Sequence, residues 1–504
     1  MPKKFFITTA IPYVNAAPHI GFALELIQAD TLARYQRQQS RPVFYLNGSD
    51  ENSLKNVQAA EKAGEEIGAF VARHAEEFRE LSKVLNISND DFIRTTEERH
   101  VLGAQKFWQA CNAAGDIYKK KYSGLYCVGC EAFITEKELV DGLCPEHRTK
   151  PDLVEEENYF FRLSRYQEQL EKLISSGELK ITPATRKTEL LKFIRQGLED
   201  FSISRSNERA KNWGISVPGD DSQKLYTWFD ALTNYINALN FASSGELFNT
   251  WWDKESERVH LIGKGITRFH AIYWPAMLLS AGELPPSEVV IHGYITIDGE
   301  KISKSLGNTI DPFVVVEKYG LDPVRYFLLR EIPSGEDGDF SLAKLEQRYT
   351  ADLANGLGNL VQRVLTLIDS NLQGELIYDS KLEEASVLEQ IKTTEERYHQ
   401  HIAEFKLHEA LADIFSLITF ANVYTNTAKP WEKAKTEPAV FLANITNLTR
   451  LILQAAWQLK PFIPETSEKI LTAFGAEKIS HSADLNDAHL LIHKGEVLFP
   501  RLDS

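Results

Sequence analysis

Apolar residues recur along the chain in two rhythms, and the places where one yields to the other mark the elements. Residues 5–12 (FFITTAIP) form an apolar strand-type run ended by a proline turn. A helical stretch follows, with Leu24, Ile27, Leu32 and Tyr35 at helical spacing. Pro42–Leu46 (PVFYL) reads as a second strand that runs into the polar Asn47-Gly48-Ser49-Asp50, and helix is expected to dominate from Ser53 to Ala113. Strand, helix-length crossover, strand is the opening of a parallel α/β sheet. The rhythm breaks near Tyr118–Lys121. From there to about Ile215 come short strands, three of the four cysteines and a Lys/Glu-rich helical stretch, the pattern of an insertion. The α/β rhythm resumes at Leu225–Phe229, then Arg258–Ile262 (RVHLI), a helix through Trp274–Leu279 and a strand at Val289–His292. After about Leu342 no strand pattern is left. Long amphipathic helices continue to the end, punctuated by Pro430, Pro461 and Pro464. The expectation is an α/β protein: a nucleotide-binding type of parallel sheet, split by an insertion and followed by a C-terminal α-helical bundle.

Composition narrows the class without changing the outline. The chain has 504 residues, 43% hydrophobic and 25% charged, ordinary globular values that exclude disordered and low-complexity classes. The longest apolar run, Ala271–Leu279, falls short of the ~20 residues that span a bilayer, so no membrane is expected. The N-terminus reads as a first strand, without the apolar core or cleavage site of a signal peptide. Four cysteines make no disulfide framework, which points to a reducing cytoplasm. With 56 basic and 71 acidic residues the net charge is −15, so any nucleic acid must be met by local basic spots on an acidic body.

Two loops carry phosphate chemistry. Pro18-His19-Ile20-Gly21 lies between the first strand and the first helix. Unpaired N–H groups and the positive dipole end at a helix start suit a phosphate. Gly21 permits close approach, and His19 can donate to a phosphate oxygen. Lys301-Ile302-Ser303-Lys304-Ser305 follows the strand ending at His292 and the turn Asp298-Gly299. Two lysines and two hydroxyls there can follow a polyphosphate into the transition state and stabilise a leaving pyrophosphate. Alone, each is more simply a loop histidine and a solvated basic loop. Together, each following a strand of one half-sheet, they suit a nucleotide site.

At these residues the chain resembles the class I aminoacyl-tRNA synthetases, whose two signatures they match. More narrowly it resembles the methionyl-tRNA synthetase family over nearly its whole length, in Ala10-Ile11-Pro12-Tyr13, Glu157–Ser164, Tyr226–Tyr235, Leu261–Lys264, Phe269-His270, Trp274–Met277 and Gly320–Phe327. Three departures from the family pattern stand out, one of them covering two residues. Phe22 stands where the first signature has a second histidine, Asn52-Ser53 where His-Gly is usual, and Gly265 where an acidic residue is common. The resemblance implies a Rossmann-type catalytic domain in two halves (1–114 and 226–295), a connective insertion (115–225), a linker with the lysine loop (296–344) and an anticodon-binding bundle (345–504). It implies ATP with Mg2+ as substrate, methionine and tRNA(Met) as partners, and catalysis by His19, Lys301 and Lys304, with Gly21, Ser303 and Ser305 also binding ATP. The implied methionine pocket is Ala10, Ile11, Tyr13, Trp228, Ala231, Tyr235, Ile266, Phe269 and His270, with Asp50 on the substrate ammonium. Aromatic walls suit a thioether, because sulfur attracts ring edges weakly.

The spacing Cys127-x-x-Cys130, thirteen residues, Cys144-x-x-His147 matches a closed, tetrahedral structural zinc site. Such knuckles occur in the insertion of the resembling family. Cys111, in a helical stretch, is expected to be a buried hydrophobe. In the bundle, Leu353, Leu357, Leu360 and Val364 fall within about 60° on a helical wheel, while Asn355, Asn359 and Arg363 lie about 200–280° round from Leu353. That polar stripe could be a solvated face. In the resembling family this helix and a Pro-Trp, here Pro430-Trp431, read the anticodon.

The insertion is too small for the editing domain of the leucine, isoleucine and valine enzymes, and a closed knuckle does not supply the pocket metal of the cysteine enzyme. A silent RNA-binding paralogue, which Phe22 would suit, and a small adenylyltransferase, which would leave the bundle without a role, are the rivals. A monomer is expected.

Overall fold

The structure, a computed structural model, describes residues 3–127, 132–134, 136, 139–145, 148–297, 299–301, 309–479, 482–493 and 495–502; of residues 132, 133, 300, 301, 482 and 483 it describes the backbone alone. The chain packs as two units, Met1–Ala29 with Gln39–His292, and Asp30–Gln38 with Gly293–Ser504.

The first unit is built on six parallel strands. They are β1 (Lys4–Thr9), β2 (Val43–Ser49), β3 (Asp91–Arg94), β4 (Lys180–Thr182), β5 (Ser256–Gly263) and β6 (Glu288–His292), in the spatial order β3-β2-β1-β5-β6-β4. Thr8 of β1 faces Leu46 on one side and His260 on the other. Phe6, Ile7, Leu261, Ile262 and Ile291 are all fully buried, the continuous apolar run of a strand covered on both faces. From β1 the chain builds outward through β2 and β3, then returns much later to place β5 on the opposite flank. The carboxyl ends of β1 and β5 therefore bound the crevice at which the strand order reverses, where open parallel sheets bind ligands. Helices α1 (Ile20–Gln38), α2 (Leu54–Ala63), α3 (Ile67–Val84) and α4 (Glu98–Ala113) serve the first three strands. Cys111 is fully buried in α4, as expected, and burial pushes its thiol up to about 12.

Several expectations are corrected here. Helix dominates Ser53–Ala113, but the stretch also holds Asp91–Arg94, the edge strand β3 beside β2, which the sequence reading did not name. At Leu225–Phe229 a strand ends rather than begins: Asp220–Leu225 is the strand, and Thr227–Leu232 is already helical. The region 115–225 is also not wholly separate from the main sheet. Its residues 117–127, 132–134, 152–161 and 201–202 form an antiparallel sheet, yet Lys180–Thr182 joins the parallel sheet beside β6 as β4. Ile181 and Leu179 are buried there and anchor this edge strand.

The second unit is a helical region with a small sheet of Ile295–Ile297, Glu300–Lys301 and Gly338–Phe340. Helices Ala385–Ala403, Leu407–Ala428 and Pro438–Leu459 are its longest. Pro430, Pro438 and Pro464 each open a helix, where the missing proline N–H is harmless. Pro438–Leu459 is apolar and long enough to cross a membrane, but it is a core helix of this unit, buried over most of its length. A further correction falls here: Glu375–Ile377 and His489–Leu491 pair as a two-stranded antiparallel ribbon, in a region read as strand-free. Asp30, in the C-terminal half of α1, pairs with Arg325 at 2.8 Å with both side chains fully buried. Arg325 Nε also donates to the Phe462 carbonyl at 2.8 Å.

Candidate active site and nucleic-acid interface

The chain leaving β1 runs beside the chain leaving β2. Asp50 N–H donates to the Pro12 carbonyl at 2.8 Å, and Tyr13 and Asp50 form a parallel bridge. Ala10 N–H donates to Glu25 Oε1 of α1 at 2.8 Å, while Glu25 Oε2 meets His292 Nε2 at 2.8 Å, so one carboxylate ties the ends of β1 and β6. Gly48 is required at this corner, since a Cβ would lie 2.2 Å from the Ile93 carbonyl oxygen and 3.0 Å from Ile11.

Asp50 is buried at the corner, its Oδ1 accepting the Asn52 N–H at 3.1 Å. Asn52, one of the departures, donates from its amide to the Thr95 carbonyl at 3.0 Å and to Asp230 Oδ2 at 2.8 Å. It thereby joins the Asp50 loop to the helix bearing Trp228 and Ala231. Ser53, the other substituted position of that pair, caps α2 by accepting the Asn56 N–H. Beneath them the buried Glu51 carboxylate is held bidentate by Arg94 at 2.7 and 2.9 Å and by the Thr96 hydroxyl at 2.6 Å.

Several of the aromatic residues named from the sequence lie together. The Trp228 and Phe269 rings stack nearly parallel at 3.8 Å, and His270 meets Trp228 edge-on at 6.4 Å. Ala10, Ile11, Trp228, Ile266 and Phe269 are half-buried against the core that holds Tyr235, and Ala231 is buried beside them. The hydrogen bonds fix the protons. His270 Nδ1 lies 3.0 Å from the Ile266 carbonyl, which can only accept, so Nδ1 carries the hydrogen. Nε2 then accepts from the Tyr235 hydroxyl at 2.6 Å. Burial holds the His270 imidazole down to about 4 and pushes the Tyr235 phenol up, so both are neutral near pH 7. The cluster of Trp228, Tyr235, Phe269 and His270 is aromatic and uncharged.

Beneath it lies a histidine that sequence reasoning missed. The Trp274 indole N–H donates to His260 Nε2 at 3.1 Å, which leaves the hydrogen on Nδ1 to donate to Thr8 Oγ1 at 2.8 Å. Burial holds His260 well below the usual histidine range, and its ring lies 4.2 Å from that of Tyr235. The signal available was a polar ring inside the apolar strand RVHLI. Glu25 and His292 were missed as well, their partners lying far apart in sequence.

His19 precedes α1. Its Nδ1 accepts the Gly21 N–H at 3.1 Å, and its ring stacks on Phe22 at 4.3 Å. A Cβ on Gly21 would come within 2.9 Å of that ring. Ser303, Lys304 and Ser305 lie outside the described residues, and of Lys301 only the backbone is described.

Cys127 and Cys144 are both buried and both reach Thr149: Cys127 Sγ approaches its hydroxyl at 4.0 Å, and Cys144 N–H donates to its carbonyl at 2.9 Å. Cys130 and His147 lie outside the described residues. Among the described residues no three Cys, His, Asp or Glu side chains gather as a metal-binding group.

In the second unit, Leu353, Leu357, Leu360 and Val364 are buried and Asn355 and Asn359 exposed. Residues Tyr349–Gly358 form a wide π-type helix that passes into the α-helix Asn359–Leu372, a departure from the uniform wheel that leaves its two faces intact. The Arg363 guanidinium lies 5.3 Å from the centre of the Trp431 ring, which is 45% exposed. Both Arg363 Nη groups donate to Asn426 Oδ1 at 3.3 Å, a partner that sequence reasoning did not name.

A parallel sheet with its crevice at the switch point, a helix-start histidine and a separate helical region are the marks of a class I tRNA synthetase, and a family profile described as tRNA synthetases class I (M) matches residues 5–152 and 147–365. A second profile, the anticodon binding domain of methionyl tRNA ligase, matches residues 379–500. Methionine–tRNA ligase of Brucella melitensis biotype 1 is 44% identical over 481 residues, covering 94% of this chain and 92% of that protein. That of Thermotoga maritima is 41% identical over 514 residues, covering 99% and 81%. The solved structure of Mycobacterium tuberculosis methionyl-tRNA synthetase in complex with methionyl-adenylate matches with a TM-score of 0.94 at 39% identity, covering 99% of this chain and all of that one. The chain belongs to the methionyl-tRNA synthetase family.

Proposed function

We propose that this chain activates methionine with ATP and transfers it to tRNA(Met). The observation that carries the reading is the neutral Ile266–His270–Tyr235 chain behind the Trp228–Phe269 stack, an aromatic wall without charge in the unit that also buries the Asp50 carboxylate. An uncharged thioether suits the wall, and Asp50 suits the ammonium of an amino acid. The pocket residues are Ala10, Ile11, Tyr13, Trp228, Ala231, Tyr235, Ile266, Phe269 and His270. The methionine carboxylate attacks the α-phosphorus of ATP, and pyrophosphate leaves. A terminal ribose hydroxyl of the tRNA then attacks the adenylate carbonyl, releasing AMP. Such a sequence needs positioning and charge stabilisation rather than a side-chain nucleophile. His19 donates to a phosphate oxygen, Gly21 keeps the helix start open, and Lys301, Ser303, Lys304 and Ser305 follow the pyrophosphate. Mg2+ accompanies the ATP and neutralises phosphate charge.

Asn355, Asn359, Arg363 and Trp431 contact the anticodon: amides and a guanidinium can read base edges, and an exposed indole offers a stacking face. Cys127 and Cys144 are both buried beside Thr149, and a structural Zn2+ held by them with Cys130 and His147 would crosslink that loop. We assign the protein to the cytoplasm, as a monomer. Aminoacylation tests the reading. Purified protein with ATP, Mg2+ and labelled methionine should charge a tRNA transcript bearing a CAU anticodon, and a changed anticodon should abolish charging. Equal charging of both transcripts would remove the anticodon assignment. Metal analysis should find one zinc per chain, lost in Cys127→Ser; a metal-free, folded and active parent would remove the zinc site.

A further inference from the structure

We propose that Phe22 is a positioning residue for His19: its ring holds the imidazole in one orientation and one tautomer, a role that rests on the reading of His19 as the phosphate donor. A neutral imidazole has a single N–H, and which nitrogen carries it decides whether the ring can donate outward. Here the Gly21 N–H points at Nδ1 from 3.1 Å, so Nδ1 accepts and the hydrogen resides on Nε2. Rotation about the side-chain bonds would break the Gly21 N–H to Nδ1 bond and leave either nitrogen able to carry the hydrogen. The ring is confined against that rotation on two sides. On one lies the helix start, so close that a Cβ at position 21 would come within 2.9 Å of the imidazole. On the other lies the Phe22 ring, 4.3 Å away and inclined by 28°.

Phe22 is itself held. Its N–H donates to the His19 carbonyl at 2.9 Å, and its ring meets Phe78 of α3 edge-on at 5.2 Å. Phe78 is buried with Val14, Phe70, Val71 and Phe92, so the ring that confines His19 is braced by a packed cluster. The position that carries a second phosphate-facing histidine in the resembling family is thus given over here to an aromatic wall. One imidazole prepared in advance stands in for two, and fixing it before ATP arrives removes an ordering cost from the transition state. Leucine would fill the cluster without offering a flat face, whereas tyrosine keeps the face.

The experiment uses the full chain with Phe22→Leu and Phe22→Tyr. ATP–pyrophosphate exchange gives kcat and the KM for methionine, and nitrogen-15 histidine spectra give the His19 tautomer, assigned by loss of its signals in His19→Asn. The expected result for Phe22→Leu is a loss of about tenfold in kcat with the methionine KM unchanged, together with His19 shifts moving toward a mixture of tautomers. Phe22→Tyr should keep both the rate and the single-tautomer pattern. A folded Phe22→Leu protein that retains the Nε2–H pattern would overturn the proposal, as would an equal loss of rate in both variants. If the parent shows no methionine-dependent exchange, the functional reading fails, while the spectra still decide the role of Phe22.

Discussion

At the residue scale, the proposed methionine pocket is governed by where four hydrogens sit. Two buried imidazoles, His260 and His270, and two donors, Tyr235 and Trp274, settle one another's tautomers, so the wall presents neutral rings. Removing one donor should therefore act on methionine rather than on ATP. Tyr235→Phe leaves His270 Nε2 buried without its partner, a loss of about 1–3 kcal/mol, and should raise the methionine KM with little change in the ATP KM, read by pyrophosphate exchange. The same burial makes stability depend on pH. Both histidines titrate below the ordinary value of about 6.5 in the folded chain, His270 at about 4. Above that ordinary value neither state is charged, and these groups leave stability unchanged. Between it and about 4 the unfolded chain binds protons that the folded chain refuses, so stability falls as pH falls. Urea unfolding midpoints should drop from pH 7 to pH 5 more steeply in the parent than in His270→Asn; equal slopes would show that His270 is not held neutral.

At the element scale, what could be read from the chain depended on length and on distance. Strands with long apolar runs, such as Phe5–Thr9 and Arg258–Ile262, announce themselves. Asp91–Arg94 and Lys180–Thr182 do not, since three or four residues cannot display a period of two and their identity as strands comes from a neighbour's edge. The ribbon of Glu375–Ile377 and His489–Leu491 was hidden for the same reason, its halves being over a hundred residues apart. The site divides likewise. His19, Asp50, Tyr235 and His270 stand in recognisable local motifs, whereas His260, Glu25 and Asn426 acquire roles from partners far along the chain. The bundle helix was legible because one face is apolar and the other polar over several turns, and the faces should separate by substitution. Leu357→Ala, in the buried face, should cost about 2–5 kcal/mol of stability. Asn359→Ala, on the exposed face, should change stability by less than about 0.5 kcal/mol and instead raise the KM for tRNA. Thermal unfolding and charging kinetics on the same two proteins check both.

At the scale of the whole molecule, a net charge of −15 must be reconciled with a polyanionic partner. An acidic body repels RNA at long range, so on the proposed reading recognition rests on a few local contacts of the Arg363–Trp431 kind. Arg363→Ala should weaken tRNA binding at every salt concentration while leaving the slope against salt nearly unchanged, because a base contact releases no phosphate counterion. A slope reduced by about one unit would move Arg363 from base to backbone. Everything else depends on which amino acid the first unit activates. The measurement that bears on it most directly is ATP–pyrophosphate exchange without tRNA, run separately with each of the common amino acids. Exchange with methionine alone is the expected result, and it would show that an active site with Phe22, Asn52 and Gly265 still forms the adenylate. Exchange with another amino acid, or none from folded protein, would contradict the assignment of the pocket.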